Sequence, residues 1–286
     1  MSNINTAAVK QFGSNIEMLV QQKGSKLRNA CRMESGIVGE EAYFDQLAET
    51  AAVAKTVRNS DTPLVKSDHR RRRVTMYDYE WADLIDKEDQ LKMLIDPQSA
   101  YVENAAWALG RSMDDLIIAA FSGTAYTGKA GGTPTIFTGA NQIAVAASGL
   151  TIGKLISAKE LLDAADVDPQ EERYIATTAA QVSDLLATTE VKSSDYNTVK
   201  ALVQGQIDTF LGFKFILCNR LAADAASSRI CPVWAKSGML LAMAKDITTR
   251  IDVRADKSYA TQVYASMGIG ATRMQEAKCV EIYCAE

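Results

Sequence analysis

The sequence predicts an α+β protein, and three observations carry that reading. One long helical pattern runs from about Pro97 to Ser122, and strand-like segments crowd the last third of the chain. Strands and helices never settle into the regular alternation of a doubly wound sheet. With 47% hydrophobic and 23% charged residues over 286 positions, the chain has enough apolar material for a core and too little charge for a disordered polymer.

The first fifty residues are polar, with Phe12, Ile16, Leu19 and Val20 at helical spacing and glycines at 24, 36 and 39, and they read as an extended arm with a helical piece. From Ala54 to Tyr79 two strand-like stretches flank Asn-Ser-Asp-Thr-Pro, the outline of a long hairpin. Charge is segregated along it. Residues 55–73 carry seven basic side chains against two acidic ones, and residues 74–96 carry seven acidic against two basic. Such a pair of segments is complementary to itself or to a second copy, which sets register and partner choice more than affinity.

Asp96 suits a helix N-cap and Pro97 a first helical position, where the missing N–H costs nothing. Val102, Ala106, Leu109, Met113, Leu116 and Ala120 then recur at helical steps until Gly123, and the 26 positions predict a spine of roughly 39 Å. A second helix is expected from Thr151 to Val167, with Ile152, Leu155, Ile156 and Leu162 on one face. Next come a strand at Arg173–Thr177, helices at Ala179–Ala187 and Asp195–Leu202, and a strand at Phe213–Cys218. Closing strands are expected at Thr249–Arg254, Tyr259–Ala265 and Lys278–Cys284.

Several function classes lose their footing on composition. A formal charge of -4 argues against nucleic-acid binding by bulk charge. The longest apolar runs are six residues, where a membrane-spanning helix needs about 18, so no membrane association is expected. The start, Met1-Ser-Asn-Ile-Asn, has neither the basic stretch nor the apolar centre of a secretory signal, which predicts a reducing compartment. A single histidine, His69, and five scattered cysteines leave little for metal binding or histidine-based catalysis. Cys279 and Cys284 are an odd number apart in a strand-like segment, on opposite faces and about 17 Å apart, too far for one metal ion.

Gly123-Thr-Ala-Tyr-Thr-Gly128-Lys129 matches most of a phosphate-binding loop, but Ala130 stands where a hydroxyl should hold magnesium, and the stretch follows a helix instead of opening one. The one sharp surface feature is His69 followed by Arg70, Arg71, Arg72 and Arg73. It reads as an inter-subunit contact, a solvated loop, a nucleic-acid patch or a localisation signal; four arginines in a strand point alternately to both sides, so a flat phosphate-binding face would use half of them. Lys66, Asp78, Glu80 and Asp83 complete the candidate contact set. No carboxylate pair or nucleophile with an orienting base stands out, so no catalytic residue is assigned.

Three further stretches, read in this order of elements, carry a likeness. Arg173-Tyr-Ile-Ala-Thr-Thr-Ala-Ala-Gln-Val-Ser-Asp-Leu-Leu186 has the form of a strand and a helix ending in paired leucines. Gly205-Gln-Ile-Asp-Thr-Phe-Leu-Gly212-Phe-Lys-Phe-Ile-Leu places a glycine at the turn into a strand. Lys236–Ile247, Tyr264–Arg273 and Val280–Tyr283 have the form of a closing helix and final strands. From about residue 40 onward the ordered set resembles the major capsid protein of tailed bacteriophages, the Hong Kong 97-type fold.

The resemblance implies an N-terminal arm at 1–53, an extended loop at 54–79 that overlaps a neighbouring subunit, a peripheral domain at 80–169 and 248–286 with spine helix 97–122, and an axial domain at 170–247. It implies a structural protein of the virion capsid, assembled in the host cytoplasm, with no enzyme activity and no cofactor. Its partners would be further copies of itself in pentamers and hexamers, a portal, a decoration protein in some shells, and packaged double-stranded DNA held without sequence-specific binding. Some relatives begin with a cleaved scaffolding region; a spine helix starting near residue 97 leaves no room for one, so a separate scaffolding protein is expected. Lys66 lies in the loop where some relatives place a crosslinking lysine, but no asparagine or glutamate partner is assigned here. Rival readings are a compartment shell of the same fold enclosing cargo proteins, a cytosolic enzyme, and a nucleic-acid module built on the arginine run.

Overall fold

The computed structural model describes residues 19–59, 61–86, 98–187, 209–224 and 228–286. The expected helix at Asp195–Leu202, the Asp96–Pro97 helix start and the group Phe12 and Ile16 lie outside them. In chain order the strands are β1 (Arg32–Ser35), β2 (Glu41–Leu47), β3 (His69–Thr75), β4 (Tyr77–Ile85), β5 (Ala125–Thr127), β6 (Thr133–Thr135) and β7 (Gln142–Ile143). They continue with β8 (Arg173–Thr177), β9 (Thr209–Phe210), β10 (Phe213–Leu217), β11 (Arg229–Ala235), β12 (Met239–Arg254), β13 (Ala260–Arg273) and β14 (Cys279–Cys284). The helices are α1 (Gln98–Ser122), α2 (Ile152–Ala164) and α3 (Ala179–Ala187). The mixed, irregular order is the α+β class that the sequence predicts.

Contacts divide the chain into two units. The larger comprises Lys26–Tyr77, Met113–Lys245 and Gly268–Glu286, and the smaller Met1–Ser25, Asp78–Ser112 and Asp246–Met267. At the centre of the larger unit is a six-stranded sheet of order β7-β14-β11-β8-β10-β9. Every residue of β8 is buried, as befits a strand covered on both faces. Phe213 starts β10 after a turn in which Gly212 takes a φ of 86°, a conformation that suits glycine. Trp234 on β11 is 1% exposed; its indole N–H donates to the Ala30 carbonyl at 2.9 Å, and its ring packs against Phe121 and Tyr174.

This sheet draws strands from segments that the expected division assigns to both domains. Cys279–Cys284 was expected with the peripheral segments, yet β14 pairs antiparallel with β11 across six residue pairs, and β7 and α2 belong to the same unit. Within the segment expected as an arm, 1–53, β1 runs parallel to the start of β12, from Arg32 opposite Leu240 to Ser35 opposite Met243. The segment Lys236–Ile247, expected as a closing helix, is a short 3-10 turn followed by the long strand β12. All five residues from Met239 to Met243 are buried, and an apolar run without alternation cannot distinguish a covered strand from a helix.

Helix α1 ends at Gly123 as expected, but its buried face is rotated. Ala105, Leu109, Met113, Ile117 and Phe121 are buried, and of the predicted stripe only Leu109 and Met113 are among them. Asp114 is also fully buried, because its carboxylate accepts from the backbone N–H groups of Lys26 (3.0 Å) and Leu27 (3.1 Å). Charge alone would have placed it outside. In α2, Leu155 and Leu162 face inward as expected, Ile156 is 52% exposed, and Lys154 is buried.

Candidate assembly surface

The arginine run lies on β3. Its hairpin partner is β2, not the 54–58 stretch that the sequence suggested, in an antiparallel register from Glu41 opposite Thr75 to Leu47 opposite His69. The next strands complete a sheet of order β2-β3-β5-β6. Strand alternation sorts the arginines. Val74 and Arg72 turn inward: Val74 joins Leu240, Ala242 and Met274 in a buried cluster with Phe44 and Met76 packed on it. Thr75 passes so near Gly270 that a Cβ on the glycine would lie 2.5 Å from the Thr75 carbonyl oxygen.

Arg72 is 3% exposed and is a structural residue of its own subunit. Its Nη2 donates to the Met274 carbonyl at 2.9 Å and to both Glu276 carboxylate oxygens at 3.0 Å. Arg71 and Arg73 lie on the opposite face. Arg71 pairs at 2.6 Å with Asp45, directly across the ladder, and lies 5.7 Å from the Tyr43 ring centre. Arg73 pairs at 3.0 Å with Glu41 and stacks 4.6 Å from the Tyr126 ring centre. The Arg71 guanidinium hydrogen-bonded to Asp45 holds that carboxyl below the usual aspartate range.

Within its own subunit Arg72 is thus engaged by Met274 and Glu276, and the carboxylates that engage Arg71 and Arg73 in the same chain come from β2. A Glu-x-Tyr-x-Asp alternation over Glu41, Tyr43 and Asp45 could have shown this, since one face of a strand carries all three. Glu276 left no such local sign. Arg70 remains on the surface, 70% exposed, with only a loose 3.4 Å contact to Asp68. Lys66 is exposed too. Asp78, Glu80 and Asp83 are exposed on the smaller unit, where Glu80 accepts from the Tyr264 hydroxyl at 2.7 Å.

Between the two hairpin strands the chain makes a long excursion. The Ala48 N–H donates to the Asp68 carbonyl at 2.9 Å and closes its base, and every described residue from 49 to 70 is exposed. Val53, Val57, Leu64 and Val65 on it stand 47–93% exposed. A groove of about 1120 Å³ opens beside the base, lined by Asp45, His69, Arg71, Lys129 and Glu276 among others. Its walls mix the ion-paired Asp45, Arg71, Arg72 and Glu276 with apolar residues such as Leu47, Ala48 and Met274.

The remaining motifs are structural. Gly123–Lys129 leads into the β5–β6 hairpin, where Gly128 and Gly131 take positive φ, and it opens no helix. All five cysteines are buried and unbridged. Among the described residues no group of three or more His, Cys, Asp or Glu could hold a metal ion, and no helix is long and apolar enough to cross a membrane.

A profile of the family described as phage capsid protein matches residues 4–286. The chain belongs to the phage capsid protein family. No curated protein matches it. Among solved structures, the capsid of cyanophage P-SCSP1u is similar at a TM-score of 0.77 and 16% identity, covering 100% of this chain and 95% of that one. The capsid of Ralstonia phage GP4 is similar at 0.75 and 10% identity, covering 100% and 98%. The head of Helicobacter pylori bacteriophage KHP40 is similar at 0.74 and 12% identity, covering 99% and 98%. At such identities the likeness is one of fold, and the fold is that of phage capsids. The capsid protein is a structural component of the virion and not an enzyme: a major capsid protein of the icosahedral shell. These matches favour neither a cargo compartment nor a nucleic-acid module.

Proposed function

We propose that the capsid protein builds its shell by laying the excursion between β2 and β3 across a neighbouring copy, with pentamers and hexamers closing around packaged double-stranded DNA. The observation that carries this is the apolar content of a wholly exposed loop. An isolated subunit gains nothing from leaving Val53, Val57, Leu64 and Val65 in water, whereas a partner surface would bury them at about 25 cal/mol for each Å² covered. The hairpin beneath is held by Arg72 and Val74, so the loop projects from a fixed base. Lys66 and Arg70 are among the basic groups left outward to meet a neighbour's carboxylates, and Asp78, Glu80 and Asp83 are candidate acceptors. Such charges set register and suppress wrong partners.

A heterologous contact of this kind closes rings, as five- and six-fold clusters require. Overall acidity keeps the inner wall from binding DNA phosphates tightly. Assembly in the host cytoplasm, a separate scaffolding protein, a portal and a decoration protein belong to the same proposal. So does the division into a peripheral domain around α1 and an axial domain around the six-stranded sheet.

The test is a variant in which residues 49–67 are replaced by a short Gly-Ser turn. The expected result is a folded subunit with an unchanged far-ultraviolet spectrum that forms no closed particles under conditions where the parent does. Normal shells from that variant would exclude the loop as the assembly element.

A further inference from the structure

Cys231 and Cys284 sit on neighbouring strands of the six-stranded sheet. Arg229 is opposite Cys284 and Cys231 is opposite Ile282, so alternation places both thiols on one face as a diagonal pair. Both residues are fully buried. The other three cysteines are pushed up by burial, Cys31 to about 12. Cys284 alone among the five is drawn below the usual thiol value, first by its neighbour Cys231 and, against the upward push of burial, by the Lys154 ammonium. That ammonium is fixed in place. Lys154 Nζ donates to the carbonyls of Val145 (2.8 Å), Ser148 (2.8 Å), Gly149 (2.9 Å) and Tyr283 (2.9 Å), the last being the residue before Cys284.

We propose that Cys231 and Cys284 form a two-electron modification site, joined by a disulfide bond when a small hydroperoxide reaches the pair. The Cys284 thiolate attacks one peroxide oxygen, the O–O bond breaks, and the leaving alkoxide or hydroxide takes a proton. The resulting sulfenic acid is then attacked by the Cys231 sulfur, the S–S bond forms, and the S–O bond breaks to release water as the Cys231 proton is lost. Two thiols are oxidised by one peroxide, and no other reactant is needed. A diagonal pair on adjacent strands is separated by slightly more than a disulfide spans, so the strands must draw together by about 1 Å. Cys284 is the last residue of β14, where the ladder ends. The bond would lock β14 to β11 in a shell carried outside a reducing cell.

The experiment treats the full chain with hydrogen peroxide, alkylates the remaining thiols and maps the peptides by mass spectrometry. The expected product has lost two hydrogens, keeps three of its five titratable thiols and yields one crosslinked peptide joining Cys231 to Cys284. Cys231→Ser and Cys284→Ser would each abolish that peptide, and Cys218→Ser would keep it. The map of the parent chain stands even if a serine variant fails to fold. A different pairing would overturn the proposal. So would accumulation of sulfinic acid at Cys284, or retention of all five thiols at a dose that oxidises the urea-unfolded chain.

Discussion

Arg72 and Glu276 stand 204 residues apart in sequence, and one guanidinium nitrogen lies 3.0 Å from both carboxylate oxygens. This contact ties the β2–β3 hairpin to the loop before β14. An arginine run that looks like one surface feature is thereby divided, with one residue spent on the fold and its neighbours turned to the opposite face. Replacing Arg72 with alanine is expected to destabilise the subunit by about 3 kcal/mol, since a buried acceptor set loses its donor. Arg70→Ala should change stability by less than about 0.5 kcal/mol. Urea titration of the two variants checks the contrast, and equal losses would contradict it.

Gly270 is the place where β13 passes the end of β3. A methyl group there would lie 2.5 Å from the Thr75 oxygen and 2.8 Å from Val74 Cγ1, and backbone on one side cannot rotate away. Gly270→Ala should cost about 1–3 kcal/mol as overpacking. Thermal melting would show it as a lowered midpoint, and an unchanged midpoint would mean that the strands can separate freely.

Acid should act through carboxylates held ionised by bases. Hydrogen bonds from Lys214, first, and Tyr174 hold Glu172 near a pKa of about 2, against an ordinary value of 4.5. The Arg254 guanidinium holds Asp256 at about 2, against 3.8. A depressed folded value means that the unfolded chain binds protons first. The stabilisation is therefore complete above about pH 4.5 and is lost as pH falls toward 2. Melting midpoints taken across that window should fall, and Glu172→Gln should make the fall shallower. A flat profile would show that solvent screens these pairs entirely.

Lys154 closes the turn before α2 with four carbonyl contacts, two of whose neighbours, Ala146 and Ala147, hold positive φ. Lys154→Met fills similar space but removes the donor that the four carbonyls share, of which Val145 and Ser148 keep others from Ser148 and Ala285, and a loss of about 1–3 kcal/mol is expected. Hydrogen exchange should show faster opening of residues 145–150 in the variant. Protection equal to the parent would assign the turn's order to its backbone alone.

The sequence made the long helix and its glycine stop legible because period and terminator agree within one local stretch. It also made the turn at Gly212 legible, since only a glycine fits that φ comfortably. It misled at 236–247, where Met239 to Met243 form a strand covered on both sides and so show no alternation. It misled again on the spine helix, because Asp114 is buried to cap the entering chain and shifts the apparent face. At the assembly surface the alternation of Arg70–Arg73 was readable, but the sorting was not: Glu276, Met274 and Gly270 arrive from a distant segment. The hairpin partner was misplaced because 54–58 carries the β-branched pair Thr56 and Val57 while 41–47 carries none, and only the folded register shows that the less strand-like stretch pairs with β3.

Shell assembly is proposed to depend on the loop between β2 and β3 reaching a second copy. Electron microscopy of the particles that the expressed protein forms, with its scaffold supplied if needed, tests this most directly. Density for residues 49–67 should lie against a neighbouring subunit, with Val53, Val57, Leu64 and Val65 covered. A shell in which that loop folds back on its own subunit, or a protein that stays monomeric with scaffold present, would contradict the account.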